Sequence, residues 1–475
     1  MDNSTSTESE DGENGFEPIL DDKVSTLSPG LAQLRQKLGK KAQKEPQFRF
    51  YSLYAHIFHI ETLRTAWYLI RKNGQTPGVD GLTYDDIDSV EGIKDGITAS
   101  ILREEKVEIY LKGVQEELKS KTYKAMAVRR VYIPKPDGRR RPLGIPTIKD
   151  RLVQMATLLI IEPIFEKDFM DCSYGFRPNK SAHDALREIT KELKNGRTAV
   201  YDADLKGYFD SIPHDQLMQC VRMRITDGAV LKLIESWLKS PIIEKEKDDN
   251  GKWNIKVTKS LKGTPQGGVI SPLLANIYLH WFDKRFHAKD GPRHFANARL
   301  VRYADDFVIM ARYIGQKIES SVKYLIEDWL KLEINKEKTQ IITLSEIGDS
   351  VDFLGYTFRV DKDLYDGTKT YIRIEPKKKS IEKARDKVRE LTSRSRSHVP
   401  MDKFIGHINS FLNGWSCYFK LGHPKRVFRT MDWYVDSKVT KHLNRRSQRR
   451  HNKPQGISWY KYLRRQGLVR LGGRV

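Results

Sequence analysis

Hydrophobic residues at Leu53, Ile57, Ile60, Leu63, Trp67 and Ile70 recur every three or four positions. That spacing lines one face of an α-helix and predicts an amphipathic helix over Tyr51 to Lys72. The Gly/Pro stretch GQTPGVDG, residues 74 to 81, ends it. Residues 97 to 118 and the run IKDRLVQMATLLIIEPIFEKDF share the helical period. The second leads into the loop SYGFRPNKSAHDAL, whose Ser181 suits the N-cap of the next helix. VYIP and PLGIP have strand texture and flank a PKPDG turn. Val200 to Leu205 alternate as a strand, which puts Asp202 and Asp204 on one face, and Asp210 with SIPH opens a helix. A charged linker then reaches GTPQGGVISPLLANIYLHWFDKRF, residues 263 to 286, a Gly/Pro loop and a helix apolar on most sides. Its glycines serve either close backbone approach to a ligand or a tight helix entry.

In RYADDFVIM, residues 302 to 310, two adjacent carboxylates, Asp305 and Asp306, interrupt a β-branched and aromatic run, which places them at the turn of a β-hairpin. Taken alone the pair is a plain polar turn, since aspartate is common in such loops. Ile318, Val322, Leu325 and Leu330 predict a helix over 315 to 332, and EINKEKTQIITL and VDFLGYTF two strands. After residue 375 three apolar stripes predict a small helical bundle: one through Ile381 and Val388, one through Phe404, Ile408 and Trp415, one through Met431 and Val439.

Charge adds a partner. The net charge is +23, yet residues 1 to 22 carry eight acidic side chains and no basic one, so the remainder carries +31. Residues 420 to 475 hold sixteen Lys or Arg against two Asp. Such an excess suits a polyanion, nucleic acid before an anionic membrane, because each Lys or Arg on a phosphate releases counterions. The apolar runs are shorter than the roughly 18 residues of a membrane span, and the acidic N-terminus lacks a signal-peptide core. Residues 1 to 45 read as a disordered acidic tail running into a short basic helix. Cys172, Cys220 and Cys417 are too scattered for a disulfide framework or a zinc site and are expected in the core.

In their order and spacing, several motifs resemble the reverse transcriptase and maturase proteins encoded by group II introns, from about Tyr51 to the C-terminus. They are GVDG, RRVYIPKPDGRRRPLGIPTIKDRLVQ, SYGFRPNKSAHDAL, DADLKGYFDSIPH, GTPQGGVISPLLANIYL, RYADDFVIM, EINKEKT, VDFLGYTF and LNGWSCYFKLG. The resemblance implies an α+β right-hand polymerase, with antiparallel sheet in fingers and palm and an α-helical thumb and maturase region. Residues 1–45 would form the tail and linker, 46–90 an N-terminal extension, 91–375 fingers and palm, 376–445 thumb and maturase, and 446–475 a basic tail.

The same resemblance implies RNA-directed DNA synthesis, in which dNTPs extend the 3′-hydroxyl of a DNA or RNA primer. Two Mg²⁺ ions, replaceable by Mn²⁺, would be held by Asp204, Asp305 and Asp306. Nucleotidyl transfer independently asks for two hard cations about 4 Å apart, and carboxylates are their preferred ligands. Asp202 is then a structural neighbour of Asp204. Phe209 resembles the gate beneath the sugar, with a core aromatic as the other account. Lys135 and Arg141 resemble finger residues that grip the triphosphate, and Gln266 the residue beside the templating pair. Lys338 resembles the lysine that protonates departing pyrophosphate, or is a surface strand lysine. Phe353, Leu354, Gly355 and Tyr356 resemble the primer grip, or form a buried strand.

Arg426, Arg429, Lys438, Arg445, Arg446, Arg449 and Arg450 resemble maturase residues that hold group II intron RNA, the expected template and splicing partner. His423, His442 and His451 are isolated and read as phosphate contacts or surface residues. The chain stops at GLVRLGGRV without a Cys/His cluster, so second-strand DNA cleavage is not expected. The implied setting is a bacterial cytoplasmic ribonucleoprotein with no membrane. Two other functions are open: a free-standing relative in defence or DNA repair, and a splicing cofactor with a vestigial polymerase, against which the intact carboxylates argue.

Overall fold

The computed structural model describes residues 27–72, 76–90, 96–134, 138, 140–247, 253–363, 366–447, 451 and 453–473. The chain divides into two compact units, one from Met1–Ser181, Ala203–Phe307 and Gly315–Thr339, the other from Ala182–Asp202, Val308–Ile314 and Gln340–Val475.

The described strands are β1 (Val128–Pro134), β2 (Arg140–Ile145), β3 (Ala199–Ala203), β4 (Ile242–Lys247), β5 (Trp253–Thr258), β6 (Arg299–Tyr303), β7 (Asp306–Ala311), β8 (Gln340–Thr343), β9 (Ser350–Phe353), β10 (Tyr356–Lys362) and β11 (Thr370–Pro376). They make three sheets, in the orders β2-β1-β4-β5, β6-β7-β3-β8 and β11-β10-β9. The first contains a parallel pair, β1 with β4, beside antiparallel neighbours. β4 and β5 occupy the stretch read as a charged linker. β4 runs from Ile242 and Ile243 into four consecutive charges, and the alternating Ile255 and Val257 of β5 are 67% and 63% exposed, so neither strand shows an apolar stripe turned to the core.

In the first unit the helix Ile148–Phe165 is buried almost all round and forms the axis of the core, with the helices Pro29–Lys44 and Ile60–Arg71 packed on it. Pro29–Lys44 is the short basic helix expected near the N-terminus, but it is docked rather than a linker. Leu31 and Ala42 are buried, and Arg35 reaches Glu162 at 2.7 Å. The acidic tail before it lies outside the described residues.

The helix expected over Tyr51 to Lys72 is broken into Tyr54–Ile57 and Ile60–Arg71. Asp227 Oδ2 accepts from the Leu53 and Tyr54 amides at 2.8 and 2.9 Å, capping the first piece, and Gln115 Nε2 donates to the Phe58 carbonyl at the break. The SIPH segment likewise separates two helices, Tyr208–Ser211 and His214–Arg222, because Pro213 has no N–H to continue a helix. The helix expected over 315 to 332 is α-helical only through Gln316–Lys323 and continues as a π-helix, Tyr324–Trp329, that keeps Leu325 and Ile326 buried.

In the second unit the helices Lys378–Leu391, Met401–Tyr418 and Lys425–Arg445 form the expected bundle around Val388, Ile408, Phe428 and Val435, with Trp415 against Phe419 and Phe428. The seven-residue helix Trp459–Arg465 was too short to leave a period. His442 is buried, stacked on Phe404 at 4.4 Å, so it belongs to the core and not to a surface. Of the cysteines only Cys172 is buried; Cys417 is exposed. Among the described residues no helix is long and apolar enough to cross a membrane.

Candidate active site

β6 ends at Tyr303 and β7 begins at Asp306, so the expected hairpin turn is formed by Ala304 and Asp305, one residue earlier than the Asp305–Asp306 pair read from sequence, and Asp306 opens the second strand. Ala304 has φ +58°, a left-handed conformation that costs an L-residue about 1–2 kcal/mol. Arg302 holds it. The guanidinium is fully buried; Nη1 donates to the Ala304 carbonyl at 2.8 Å and to Asn276 Oδ1 at 2.9 Å, while Nε and Nη2 donate to the equally buried Asp283 carboxylate at 2.9 and 2.6 Å. Asn276 Nδ2 passes the restraint to the Gly175 carbonyl at 2.8 Å. A Cβ on Gly175 would stand 2.3 Å from the Ala304 nitrogen, which is why the SYGF loop needs glycine at its closest approach to the turn. Neither Asp283 nor Asn276 was singled out from sequence; a charge inside the apolar run LLANIYLHWFDKRF was the available signal.

Asp204 lies one residue past β3, which stops at Ala203 instead of running to Leu205. Its carbonyl accepts from the Asn335 amide at 2.8 Å, and its Oδ2 accepts from Asn335 Nδ2 at 2.9 Å and from Lys338 Nζ at 2.8 Å. Lys338 sits in the turn that follows Asn335, not in a strand. Asp202 stays within β3 opposite Gln340, whose Nε2 is 3.4 Å from its Oδ2.

Burial raises the pKa of Asp305 above the ordinary carboxylate value. Its own backbone hydrogen bond opposes the rise, the negative charge of Asp204 adds to it, and Arg141 and Lys338 act against it. Asp204, Asp305, Arg141 and Lys338 are therefore electrostatic neighbours. Asp306 is exposed at the first position of β7, and among the described residues no three His, Cys, Asp or Glu side chains gather as a metal site. Of the three expected carboxylates, Asp204 and Asp305 influence each other electrostatically, while Asp306 opens β7. Two carboxylates that repel each other, one of them already drawing an ammonium, are a donor set that a hard divalent cation fits.

Beside this pair Gln266 connects two elements. Its Oε1 accepts from Arg141 Nε at 2.8 Å, and its Nε2 is 3.3 Å from Asp210 Oδ2. Burial raises the Asp210 pKa, against the pull of Arg130 and Arg141. From sequence Asp210 was only a helix start. The glycines of GTPQGG serve backbone packing: a Cβ on Gly267 would meet the Gly144 carbonyl at 2.2 Å, and one on Gly263 (φ +88°) the Asp210 Cα at 2.7 Å. Phe209 is buried, edge-on to Phe176 at 6.3 Å. Lys135 lies outside the described residues.

Phe353 closes β9 and Tyr356 opens β10, so the expected strand VDFLGYTF is a hairpin whose two turn residues, Leu354 (φ +47°) and Gly355 (φ +78°), are both left-handed. Tyr418 Oη donates to the Leu354 carbonyl at 2.8 Å, and the Lys377 amide to that of Gly355 at 2.8 Å. Of the basic residues expected to face RNA, Arg426, Arg429 and Arg445 are exposed, and Lys438 lies 5.3 Å over the Tyr434 ring. Arg446 is committed to the Ser397 and Val399 carbonyls, a structural role. Arg449 and Arg450 lie outside the described residues. His423 Nδ1 accepts from the Ile374 amide, and the His451 ring meets Trp459 and the Tyr462 hydroxyl.

The site falls inside a match to the reverse transcriptase (RNA-dependent DNA polymerase) family over residues 133–358, followed by a match to the group II intron maturase-specific domain over 381–463. Protein YkfC of Escherichia coli K12 is 33% identical over 361 residues, covering 69% of this chain and 87% of its own. The chain belongs to the group II intron-encoded reverse transcriptases and maturases. LtrA, a group II intron-encoded protein of Lactococcus lactis, is 32% identical over 396 residues, which cover 70% of this chain and 61% of LtrA. The putative COX1/OXI3 intron 1 protein of Saccharomyces cerevisiae is 28% identical over 302 residues, 53% of this chain and 35% of that protein. A reverse transcriptase domain makes the chain an RNA-directed DNA polymerase; the domain family works with divalent metal ions, and the maturase domain adds a role with intron RNA.

Asp283→Leu leaves the Arg302 guanidinium buried and unpaired, at an expected cost of about 3–5 kcal/mol in denaturant unfolding. The double variant Arg302→Met/Asp283→Leu is expected to regain much of that stability while RNA-templated primer extension stays depressed, because the Ala304 carbonyl no longer has its anchor. A folded double variant with wild-type rates would remove the positioning role.

Proposed function

We propose that this chain copies intron RNA by extending a DNA or RNA primer with dNTPs, at a site built on Asp204 and Asp305, and that its C-terminal helices hold the RNA for splicing. The observation that carries this is the pair itself: two carboxylates, brought together by a braced hairpin turn and the end of β3, beside a lysine and an arginine. Two Mg²⁺ ions, or Mn²⁺ in their place, would supply the positive charge that activates the primer hydroxyl and steadies the leaving phosphate.

The protein's own groups divide the remaining work. Arg141, oriented by Gln266, presents a guanidinium fork to the triphosphate, and Lys135, outside the described residues, is kept as its partner on the strength of the motif alone. Lys338, 49% exposed, is placed to give a proton to departing pyrophosphate. Phe209 offers its ring as the wall that a 2′-hydroxyl would strike. The Leu354–Gly355 turn, with Phe353 and Tyr356 at its base, holds the primer end in attack geometry. Residues 46–90 extend the fingers, 91–375 form fingers and palm, and 376–445 the thumb and maturase region, which places Arg426, Arg429 and Arg445 on RNA. The setting proposed is a bacterial ribonucleoprotein. The readings as a vestigial polymerase and as a free-standing defence or repair enzyme are disfavoured by the assembled pair and by the maturase domain respectively.

RNA-templated primer extension with Mg²⁺ tests this. Asp305→Ala is expected to lower the rate about 10³-fold, the equivalent of losing some 4 kcal/mol of charge stabilisation; equal cDNA from wild type and variant would end the proposal. Because Asp305 keeps its proton to a higher pH than free aspartate, activity is expected to fall as pH drops through that raised value. Cation and proton compete for the same carboxylate, so raising Mg²⁺ should move the acid limb to lower pH. A limb indifferent to Mg²⁺ would contradict the assignment.

A further inference from the structure

The second unit contains a cleft of about 310 Å³ between the β10–β11 hairpin and the helices Lys378–Leu391 and Lys425–Arg445. Four arginines converge on it, Arg359, Arg373, Arg385 and Arg426, with Val427 and Met431 among its apolar lining. Arg359 and Arg373 stand directly opposite each other in the β10–β11 register, an arrangement of like charges that repels unless compensated. Two carboxylates compensate it. Asp361 Oδ2 lies 3.4 Å from Arg359 and 3.0 Å from Arg373, and Glu375 lies 3.5 Å from Arg359 and 3.0 Å from Arg373.

Those two carboxylates are fully used by the hairpin pair, and among the described residues the other two arginines have no such partner. Arg385 is half-buried with its guanidinium 5.4 Å from the centre of the Tyr434 ring, and its Nε is enclosed without a hydrogen-bond partner. Arg426 is exposed and has no carboxylate within ion-pair distance among the described residues. Four guanidiniums against two carboxylates leave an excess of about two positive charges around a space at the small end of ligand pockets. Guanidinium forks bind phosphate oxygens two at a time, and an apolar lining beside them suits a sugar or base face.

We propose that this cleft seats one nucleotide of an RNA strand, its phosphate on Arg385 and Arg426 and its sugar or base against Val427 and Met431. The proposal rests on the reading that the C-terminal helices hold intron RNA, and adds the place and the chemistry. Arg385 and Arg426 lie inside the maturase-specific match, 381–463, whereas Arg359 and Arg373 fall after residue 358 and before residue 381, in neither domain match. The hairpin thus gives the cleft a charged wall that the maturase domain alone does not include. A free nucleoside triphosphate carries the same phosphate chemistry, and the test separates the two sources.

The full-length chain is titrated onto a fluorescein-labelled 20-nucleotide single-stranded RNA across a salt series, and separately competed with ATP. Arg385→Gln/Arg426→Gln is expected to raise the RNA Kd about tenfold or more and to make the salt slope shallower by about 0.7 for each phosphate no longer neutralised. Arg222→Gln/Lys239→Gln, which removes the same number of positive side chains from exposed positions in the first unit, one of them paired with Glu235, should change both far less. Should the glutamine pair lower the melting temperature, Arg385→Lys/Arg426→Lys carries the test: it keeps the charge, loses the fork and is expected to bind with intermediate affinity. The proposal is overturned if the glutamine pair behaves like the control pair, or if it weakens ATP competition while leaving RNA affinity intact. Wild-type protein that binds no RNA would instead overturn the functional reading on which the cleft depends.

Discussion

The buried Arg302–Asp283 pair is the constraint on which the site depends. Taking two charges out of water costs several kcal/mol per ion, and the cost is offset only when geometry and hydrogen bonding are nearly complete. Here they are: the guanidinium is distributed over Asp283, Asn276 and the Ala304 carbonyl, with no exposure on either charged partner. An apolar pair of equal volume could fill the space, but it could not anchor a left-handed alanine carbonyl. The planar fork of arginine converts packing into a fixed turn, and the turn presents Asp305 towards Asp204.

That arrangement explains why the site concentrates negative charge in a protein with a large positive excess. The net charge of +23 is not a map of the surface. Several arginines are consumed inside: Arg35 on Glu162, Arg177 on Glu166 and two backbone carbonyls, Arg302 on Asp283, Arg446 on two carbonyls. What remains for a polyanion is local. It includes Arg141 beside the carboxylates and Arg385 with Arg426 in the second unit, and these are the positions at which phosphate chemistry is assigned.

Much of this was legible from residues alone, and the part that was not has physical reasons. The turn at Asp305, the β1–β2 hairpin and the three-helix bundle follow from local alternation and helical period, which depend only on near neighbours in the chain. The Arg302–Asp283 pair, the Gln266–Asp210 contact and the Asn335 contact to Asp204 join residues between 19 and 131 positions apart, and no periodicity encodes them. Strands β4 and β5 escaped because four consecutive charges, Glu244 to Lys247, hide the first, and the second is a single six-residue run whose alternating Ile255 and Val257 are exposed. The FLG strand became a turn because Leu354 adopts a positive φ that is uncommon for leucine, supported from outside by the Tyr418 hydroxyl. The long N-terminal helix broke at Phe58, whose carbonyl accepts from Gln115, a residue 57 positions along the chain.

The central claim is that Asp204 and Asp305, held together by this brace, form the cation site of an RNA-directed DNA polymerase. Its most direct test is Mn²⁺ binding measured by electron paramagnetic resonance on the folded wild-type chain and on Asp305→Asn. The account predicts that the wild type immobilises Mn²⁺ and that the variant loses more than about a hundredfold in affinity, beyond the roughly 10–100-fold typical of disturbing an outer-sphere group alone. Equal affinity and stoichiometry in the two proteins would contradict it.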